Sequence, residues 1–137
     1  MKIVRLAATL LIVGVALVGC GADEEEPEPS AQDKFCAAYR DFYEQSSRDP
    51  GASDTEVVSR MKEFAATLDD LEPPEEMSGE AKKGMAIWIE MIGDLPDDAS
   101  QDDVVSLNTE LSKKESSRLR SYNDFGNVVC LSNGASG

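Results

Sequence analysis

The chain of 137 residues contains no histidine and far fewer bases than acids. Histidine is the commonest general base and the commonest metal ligand, so its absence excludes Ser-His-Asp and Cys-His catalysis and argues against a zinc site. Thirteen Lys and Arg stand against 27 Asp and Glu, which gives a formal net charge of −14. Because nucleic-acid binding requires clustered Lys and Arg, we expect no nucleic-acid partner.

Motifs for catalysis, metals and nucleotides are also absent. Neither a P-loop nor a G-x-G-x-x-G fingerprint occurs. An EF-hand loop beginning at Asp94 fails, because Pro96, Ala99 and Val105 would occupy its third, sixth and twelfth positions. Among so many acids, neighbouring carboxylates arise by chance and do not mark a glycosidase pair. The sequence therefore predicts no catalytic residue, no metal ligand and no cofactor, and we do not expect an enzyme.

The one long uncharged run lies at the N-terminus. Leu6 to Gly19 carries no charge and follows Lys2 and Arg5. It is too short for a spanning helix, which needs about 20 apolar residues. A basic start, a short apolar core and a small-residue end are typical of a secretory signal.

The end of this signal carries a more specific motif. Leu17-Val18-Gly19-Cys20 resembles the lipobox of bacterial lipoprotein precursors, in which the Cys thiol receives a diacylglyceryl group and becomes the new N-terminus. The resemblance covers the first 20 residues only. It implies a cleaved signal over residues 1–19, lipid attachment at Cys20, and a location on the extracytoplasmic face of a bacterial membrane. Two acyl chains are what stable anchoring requires.

Residues 20–30 predict a tether between that anchor and a folded domain. Gly21 to Pro29 contains five acids, two prolines and no large apolar side chain. Such a segment cannot bury enough surface to fold, and nine residues span at most about 30 Å.

Residues 31–133 predict an all-α domain, followed by a tail over 134–137. Helix 1 follows the cap signature Ser30-Ala-Gln-Asp33 and carries four of the chain's eight aromatic residues. Helix 2 follows the capping box that begins at Ser53, carries an apolar stripe of bundle type, and stops before Pro73. Helix 3 begins near Pro74 and is apolar nearly all round, so it should be the most buried segment.

Helix 4 is predicted to begin after Ser100 and to end near Leu131. No Pro or Gly occurs between Ser100 and Phe125. Residues Ser112 to Arg118 include no apolar side chain. This polar patch has two interpretations: a binding crevice, or a place where helix 4 bends, breaks or protrudes, which we favour. No strand pattern competes, and four amphipathic helices with short connections predict an up-down-up-down four-helix bundle.

The three cysteines predict one disulfide. An odd number needs an explanation in an exported domain, and assigning Cys20 to lipid leaves Cys36 and Cys130. Cys36 lies in the first two turns of helix 1, and Cys130 lies at the end of helix 4. An up-down bundle brings these two ends together, and export provides a compartment where disulfides form. We predict a Cys36–Cys130 bond closing the bundle.

The sequence thus predicts a membrane-anchored envelope lipoprotein with a non-catalytic helical domain that binds an unknown envelope protein or ligand. Two alternatives stay open. One is a small extracytoplasmic ligand- or cation-binding lipoprotein; its cation ligands would be Asp94, Asp97, Asp98, Asp102 and Asp103, although acids also favour helix N-termini. The other is a carboxylate-dependent envelope hydrolase, whose signature would be a pocket carboxyl with a raised pKa.

One further set of residues could line a ligand pocket. Trp88 lies close to Met85 and Met91 at helical spacing. Such a stripe of methionine and aromatic residues is more often part of a core than of a ligand site. We therefore favour a packing role for all three.

Overall fold

The computed structural model of the chain describes residues 26–132, and the regular secondary structure within these residues is entirely helical. Five α-helices and one π-helical segment follow in chain order: α1 Ala31–Arg48, α2 Asp54–Asp69, α3 Gly79–Gly93, α4 Gln101–Glu110, α5 Lys113–Phe125 and the π-helical segment Gly126–Ser132. No strand occurs in this part of the chain, so the predicted all-α class is confirmed.

A serine caps the start of every one of the five α-helices. Each hydroxyl accepts the backbone N–H three residues on, which satisfies one of the donors that a helix start leaves free. In four of them an Asp or Glu at that position reaches back to the serine N–H and completes a capping box. The predicted starts of α1, α2 and α4 are confirmed.

The predicted start of helix 3 near Pro74 is wrong. The helix begins at Gly79, and Ser78 is its cap. In between, the Met77 N–H donates to the Pro74 carbonyl at 3.1 Å in a tight turn. Both side chains are buried. Burial of Met77 therefore holds this segment in a turn instead of a first helical turn.

The predicted fourth helix is two helices. Leu111 has an extended backbone, with φ −63° and ψ 137°, and Ser112 starts α5 with its own capping box to Glu115. The break expected between Ser112 and Arg118 is thus confirmed, at the beginning of that range. The S-x-x-E signal at Ser112 was present in the sequence, but the expectation of a bend or break relied on the absence of apolar side chains in this patch. After Phe125 the chain continues as a π-helix, a feature the sequence did not indicate.

The core is built around the aromatic face of α1. Phe35 and Tyr39 are at most 1% exposed. Phe42 stacks on Phe64 of α2, with ring centroids 4.6 Å apart and planes 9° apart. Phe35 also meets Tyr122 edge-on at 6.2 Å. Helix α3 contributes the largest number of buried residues, namely Ala81, Gly84, Met85, Met91 and Ile92, whereas its Ile87, Trp88 and Ile89 are only half-buried.

Three pairs of sequential neighbours pack together: α1 with α2, α2 with α3, and α5 with the π-helical segment. Two pairs distant in sequence also pack: α3 with α5, and α1 with the π-helical segment. Helix α4 packs against α2. The predicted up-down-up-down bundle of four helices is not confirmed, because the expected fourth helix is divided into α4 and α5, and α4 packs against α2.

Candidate functional site

The Cys36–Cys130 disulfide is present and joins α1 to the π-helical segment. The Cα atoms lie 4.9 Å apart, across 94 positions of sequence. Both residues are buried, at 5% and 0% exposure. Since the thiols are consumed in this bond, neither Cys36 nor Cys130 serves as a nucleophile or a metal ligand.

Polar contacts reinforce the same junction. The Arg40 Nε donates to the Cys130 carbonyl at 2.7 Å, which satisfies one acceptor near the chain's last helical turn. The Tyr39 hydroxyl lies 3.2 Å from the Asn127 Oδ1. Burial, followed by the hydrogen bond with Tyr43, raises the pKa of Tyr39 well above its usual range. The phenol therefore stays protonated and donates.

Gly126 explains how the π-helical segment comes so close to α1. A Cβ at this position would overlap the Tyr39 ring. Only glycine leaves room for the ring, so the close approach of the two elements depends on the absence of a side chain.

A wide cleft opens beside the disulfide, between α1 and the π-helical segment. Its volume is about 450 Å³. The Arg48–Glu44 ion pair on its edge, at 2.9 Å, is mostly solvent-exposed. The half-exposed Tyr43 ring faces it, and its lining residues are Arg40, Tyr43, Glu44, Ser47, Arg48, Cys130 and Leu131.

A second concave surface, which we call the α3–α4 groove, has about 410 Å³ and an apolar floor with acidic edges. It lies between the C-terminal half of α3, helix α4 and the first turn of α5. The groove is lined by Ile87, Glu90, Met91, Asp94, Leu95, Pro96, Leu107, Leu111 and Glu115. Leu107 and Leu111 lie four positions apart, on one face by helical spacing, but the sequence does not show what they contact.

The acidic residues proposed for a cation do not converge. Asp97 is bound by the Lys62 ammonium at 2.5 Å, and Asp103 is engaged in the α4 capping box. Within residues 26–132, no group of three or more Asp, Glu, Cys or His side chains is arranged to hold a metal ion.

Where a carboxyl pKa is displaced in residues 26–132, it is lowered. Serine hydrogen bonds at the capping boxes lower the pKa of Asp33, Glu56, Asp103 and Glu115. Hydrogen bonds from Arg118 and then Lys83 lower the pKa of Glu80 to about 2. These carboxylates are stabilised as anions, which is the opposite of what a general acid needs.

The Trp88, Met85 and Met91 set does not form a pocket of its own. Met85 and Met91 belong to the buried core, with 2% and 9% exposure. Met91 also contributes to the α3–α4 groove, whereas Trp88 lines neither concave surface described above. The Trp88 Nε1 is buried without a hydrogen-bond partner. The favoured packing interpretation fits this placement.

The polar patch Ser112–Arg118 is divided among three roles. Ser112 caps α5, Glu115 lines the α3–α4 groove, and the Arg118 Nε donates to Glu80 at 2.8 Å. Helix α3 reaches this part of α5 because Gly84 lies against the Arg118 backbone, where a Cβ would overlap the carbonyl.

The predicted lipid-attachment residue, Cys20, and the signal over 1–19 lie outside the described residues, as do most of the tether and the tail 134–137. Among the helices of residues 26–132, none combines the length and apolar character needed to cross a membrane.

Comparisons with known proteins add no relative. No family model matches the chain, and searches of curated proteins and of solved structures found no significant match.

Proposed function

We propose that the protein is a bacterial envelope lipoprotein, anchored through Cys20, whose helical domain binds another envelope component and is not catalytic. The observation that carries this proposal is the Leu17-Val18-Gly19-Cys20 motif at the end of a signal-like segment. The disulfide between the two remaining cysteines is consistent with export to an oxidising compartment.

The electrostatics of the domain support a binding role over a carboxylate hydrolase. A catalytic acid requires a carboxyl whose pKa is raised by burial or by a like charge. The displaced carboxyl groups of residues 26–132 instead have lowered pKa values, and each of them caps a helix or pairs with a base. The ion pair between Lys62 and Asp97 weakens the case for the cation-binding alternative, because it engages one of the five proposed ligands.

We further propose that α1, α2, α3 and α5 with its π-helical continuation form an antiparallel bundle into which α4 is inserted. Two contacts support this arrangement, one between helix ends and one between the middle of α2 and the end of α3. Ala31 at the start of α1 lies beside Leu71 after the end of α2. Lys62 in α2 reaches the Leu95 carbonyl after the end of α3 at 2.7 Å.

Mass spectrometry of the protein extracted from bacterial membranes tests the anchor. We expect a chain that begins at Cys20 and carries the added mass of its acyl groups. Cys20→Ala should accumulate as an unacylated precursor. Ala22→Ser is the matched control, because it changes a neighbouring residue of the tether without touching the motif or the disulfide. An unmodified Cys20 in the membrane-extracted protein would exclude the anchor.

Binding is tested separately from anchoring. Cross-linking in intact cells followed by detergent extraction should give the same protein partner from repeated preparations of the wild type. A thermal-shift series with Ca²⁺, Mg²⁺ and Zn²⁺ provides the comparison, since a specific ligand raises the unfolding temperature by mass action. Stabilisation by one cation at micromolar concentration, without a protein partner, would favour the cation-binding alternative.

A further inference from the structure

We propose that the α3–α4 groove binds a basic amphipathic helix presented by a protein partner. The inference deepens the proposed function, on which it relies for the compartment in which the partner is met. It rests on the charge of the groove's edge, the apolar character of its floor, its distance from the tether and the loose packing of α4.

The edge of the groove carries three carboxylates and no base. Glu90 and Asp94 lie one turn apart on α3, and Glu115 faces them from α5. None of the three takes part in an ion pair within residues 26–132. Lys62, which approaches the neighbouring loop, is already occupied by the Leu95 carbonyl and Asp97. Glu115 also accepts the Ser112 N–H at 2.8 Å in the α5 capping box, but no Lys or Arg forms an ion pair with any of the three carboxylates, so a ligand with Lys or Arg side chains would meet net negative charge.

The floor is apolar and is built from three elements. Met91 and Leu95 are buried at 9% and 6% exposure. Leu107 and Leu111 are half-buried side chains of α4 and its C-terminus. An apolar strip bordered by charge of one sign matches a helix with an apolar stripe and an oppositely charged border. Anionic lipid headgroups and a second, equally acidic copy of this chain would both be repelled by the same edge.

The groove lies away from the point where the tether enters. Ala31 lies close to Glu72 and Glu76, next to the start of α3. The groove uses the other half of α3, from Ile87 to the turn at Pro96. The groove and the attachment of the tether therefore lie towards opposite ends of α3, so that an occupant of the groove would not compete with the tether.

Helix α4 can adjust to an occupant because it is weakly held. Val104 is its one buried side chain, whereas Val105 is 59% exposed. Elements with few buried contacts open at low free-energy cost and often form binding surfaces. The extended Leu111 separates α4 from α5, so α4 can shift without displacing the core helix that follows.

The test uses the full chain in phosphatidylcholine nanodiscs and a fluorescent 14-residue Leu/Lys peptide with helical apolar spacing. Binding is followed by anisotropy, with protein-free nanodiscs as background. The groove triple variant is Glu90→Gln, Asp94→Asn and Glu115→Gln; Gln is compatible with the capping box at position 115. The control triple, Asp41→Asn, Glu63→Gln and Glu75→Gln, removes the same charge from exposed positions outside the groove.

We expect the groove triple to raise Kd by about tenfold and the control triple by less than about twofold. Leu107→Ser should weaken binding, whereas Val105→Ser on the exposed side of α4 should not. Equal losses in both triples would mean general attraction to an acidic protein and would overturn the proposal. So would unsaturable binding, or equal affinity for a peptide of the same composition in scrambled order.

Two further readouts separate this proposal from its alternatives. Sedimentation of the wild type should show a monomer. A dimer that dissociates in the groove triple variant would mean that the groove binds a second copy of the chain. The acyl mass at Cys20 is measured on the same nanodisc sample. If the peptide binds and Cys20 is unmodified, the groove proposal holds and the anchor is rejected. If Cys20 is acylated and the peptide does not bind, the groove proposal alone is rejected.

Discussion

The disulfide side of the molecule and the α4 side are held by different kinds of contact. On the first side, the Cys36–Cys130 bond, the Arg40–Cys130 hydrogen bond and the buried Tyr39 ring join α1 to the π-helical segment. On the second side, α4 has one buried residue, Val104, and its start is closed by a capping box. The two sides therefore differ in the number of long-range contacts that hold them, and the α4 side is the more adaptable surface.

The largest expected effect comes from opening the disulfide. Replacing both Cys36 and Cys130 with Ala should lower the free energy of unfolding by up to about 4.7 kcal/mol, the loop-closure value for about 100 residues. Denaturant unfolding of the variant and the wild type measures the difference. Thiol labelling of the denatured, unreduced wild type gives the control, with no label at either position. If the denaturant midpoint and slope of the variant equalled those of the wild type, the stability of the disulfide side would not depend on the Cys36–Cys130 bond.

Gly84→Ala should be the next most damaging change. The added methyl group would overlap the Arg118 carbonyl and approach the Tyr122 Cβ, so α3 and α5 would have to separate at a cost of about 1–3 kcal/mol. Gly93→Ala is the matched control, since its Cβ would meet nothing within 4 Å and alanine favours helix by up to about 1 kcal/mol. Equal unfolding midpoints for the two variants would contradict the close α3–α5 contact.

Ser112→Ala should lower the free energy of unfolding by about 1 kcal/mol, because it removes the hydroxyl that caps α5. Ser117→Ala, at an exposed position inside the same helix, should be close to neutral. Thermal and denaturant unfolding distinguish them. A neutral Ser112→Ala would indicate that α5 gains nothing from its cap and would weaken the explanation of the break at Leu111.

Ser100→Ala removes the corresponding cap of α4. This variant tests whether the α4 side opens independently of the disulfide side. We expect a global loss below about 0.5 kcal/mol, as for ordinary surface changes, together with faster amide hydrogen exchange confined to α4. The reason is that a loosely packed helix opens locally before the core unfolds. A global loss as large as that of Ser112→Ala would show that α4 unfolds together with the core.

The smallest expected effect is the acid dependence contributed by Glu80. Its pKa is lowered from 4.5 to about 2 in the folded protein by Arg118 and Lys83. This contribution to stability is therefore present above about pH 4.5 and is lost as the pH falls through about 2. Glu80→Gln should flatten the fall in unfolding free energy over that window, whereas Glu75→Gln at an exposed position should not. Identical pH profiles would contradict this prediction.

The success of the sequence predictions followed the range of the interactions involved. Helix starts at Ser30, Ser53 and Ser100 were predictable because a cap is made within four residues. The start of α3 was not, because burial of Met77 is a contact with the rest of the fold. The S-x-x-E signal at Ser112 was also local. It was not recognised as a helix start, because the run from Ser100 to Phe125 contains no Pro or Gly and was interpreted as one helix.

The candidate binding surfaces divide in the same way. The pairing of Cys36 with Cys130 followed from an odd cysteine count and from where the two residues fall on their helices. The α3–α4 groove could not be found this way, because its floor joins Met91 of α3 to Leu107 of α4, and the periodicity of one helix does not show which residues of another helix it faces. A pocket between elements depends on distances that no local pattern contains.

The sequence by itself determined the helical class, three of the five helix starts through local serine signals and the identity of the disulfide partners. It also contains the Cys20 motif on which the proposed anchor depends. Only the tertiary structure decided that the expected fourth helix divides at Leu111, that Gly84 and Gly126 are points of close approach, and that three carboxylates border one apolar groove. The physical reason is that capping and helix periodicity act over a single turn, whereas close approach and groove formation require residues far apart in the chain to be packed together.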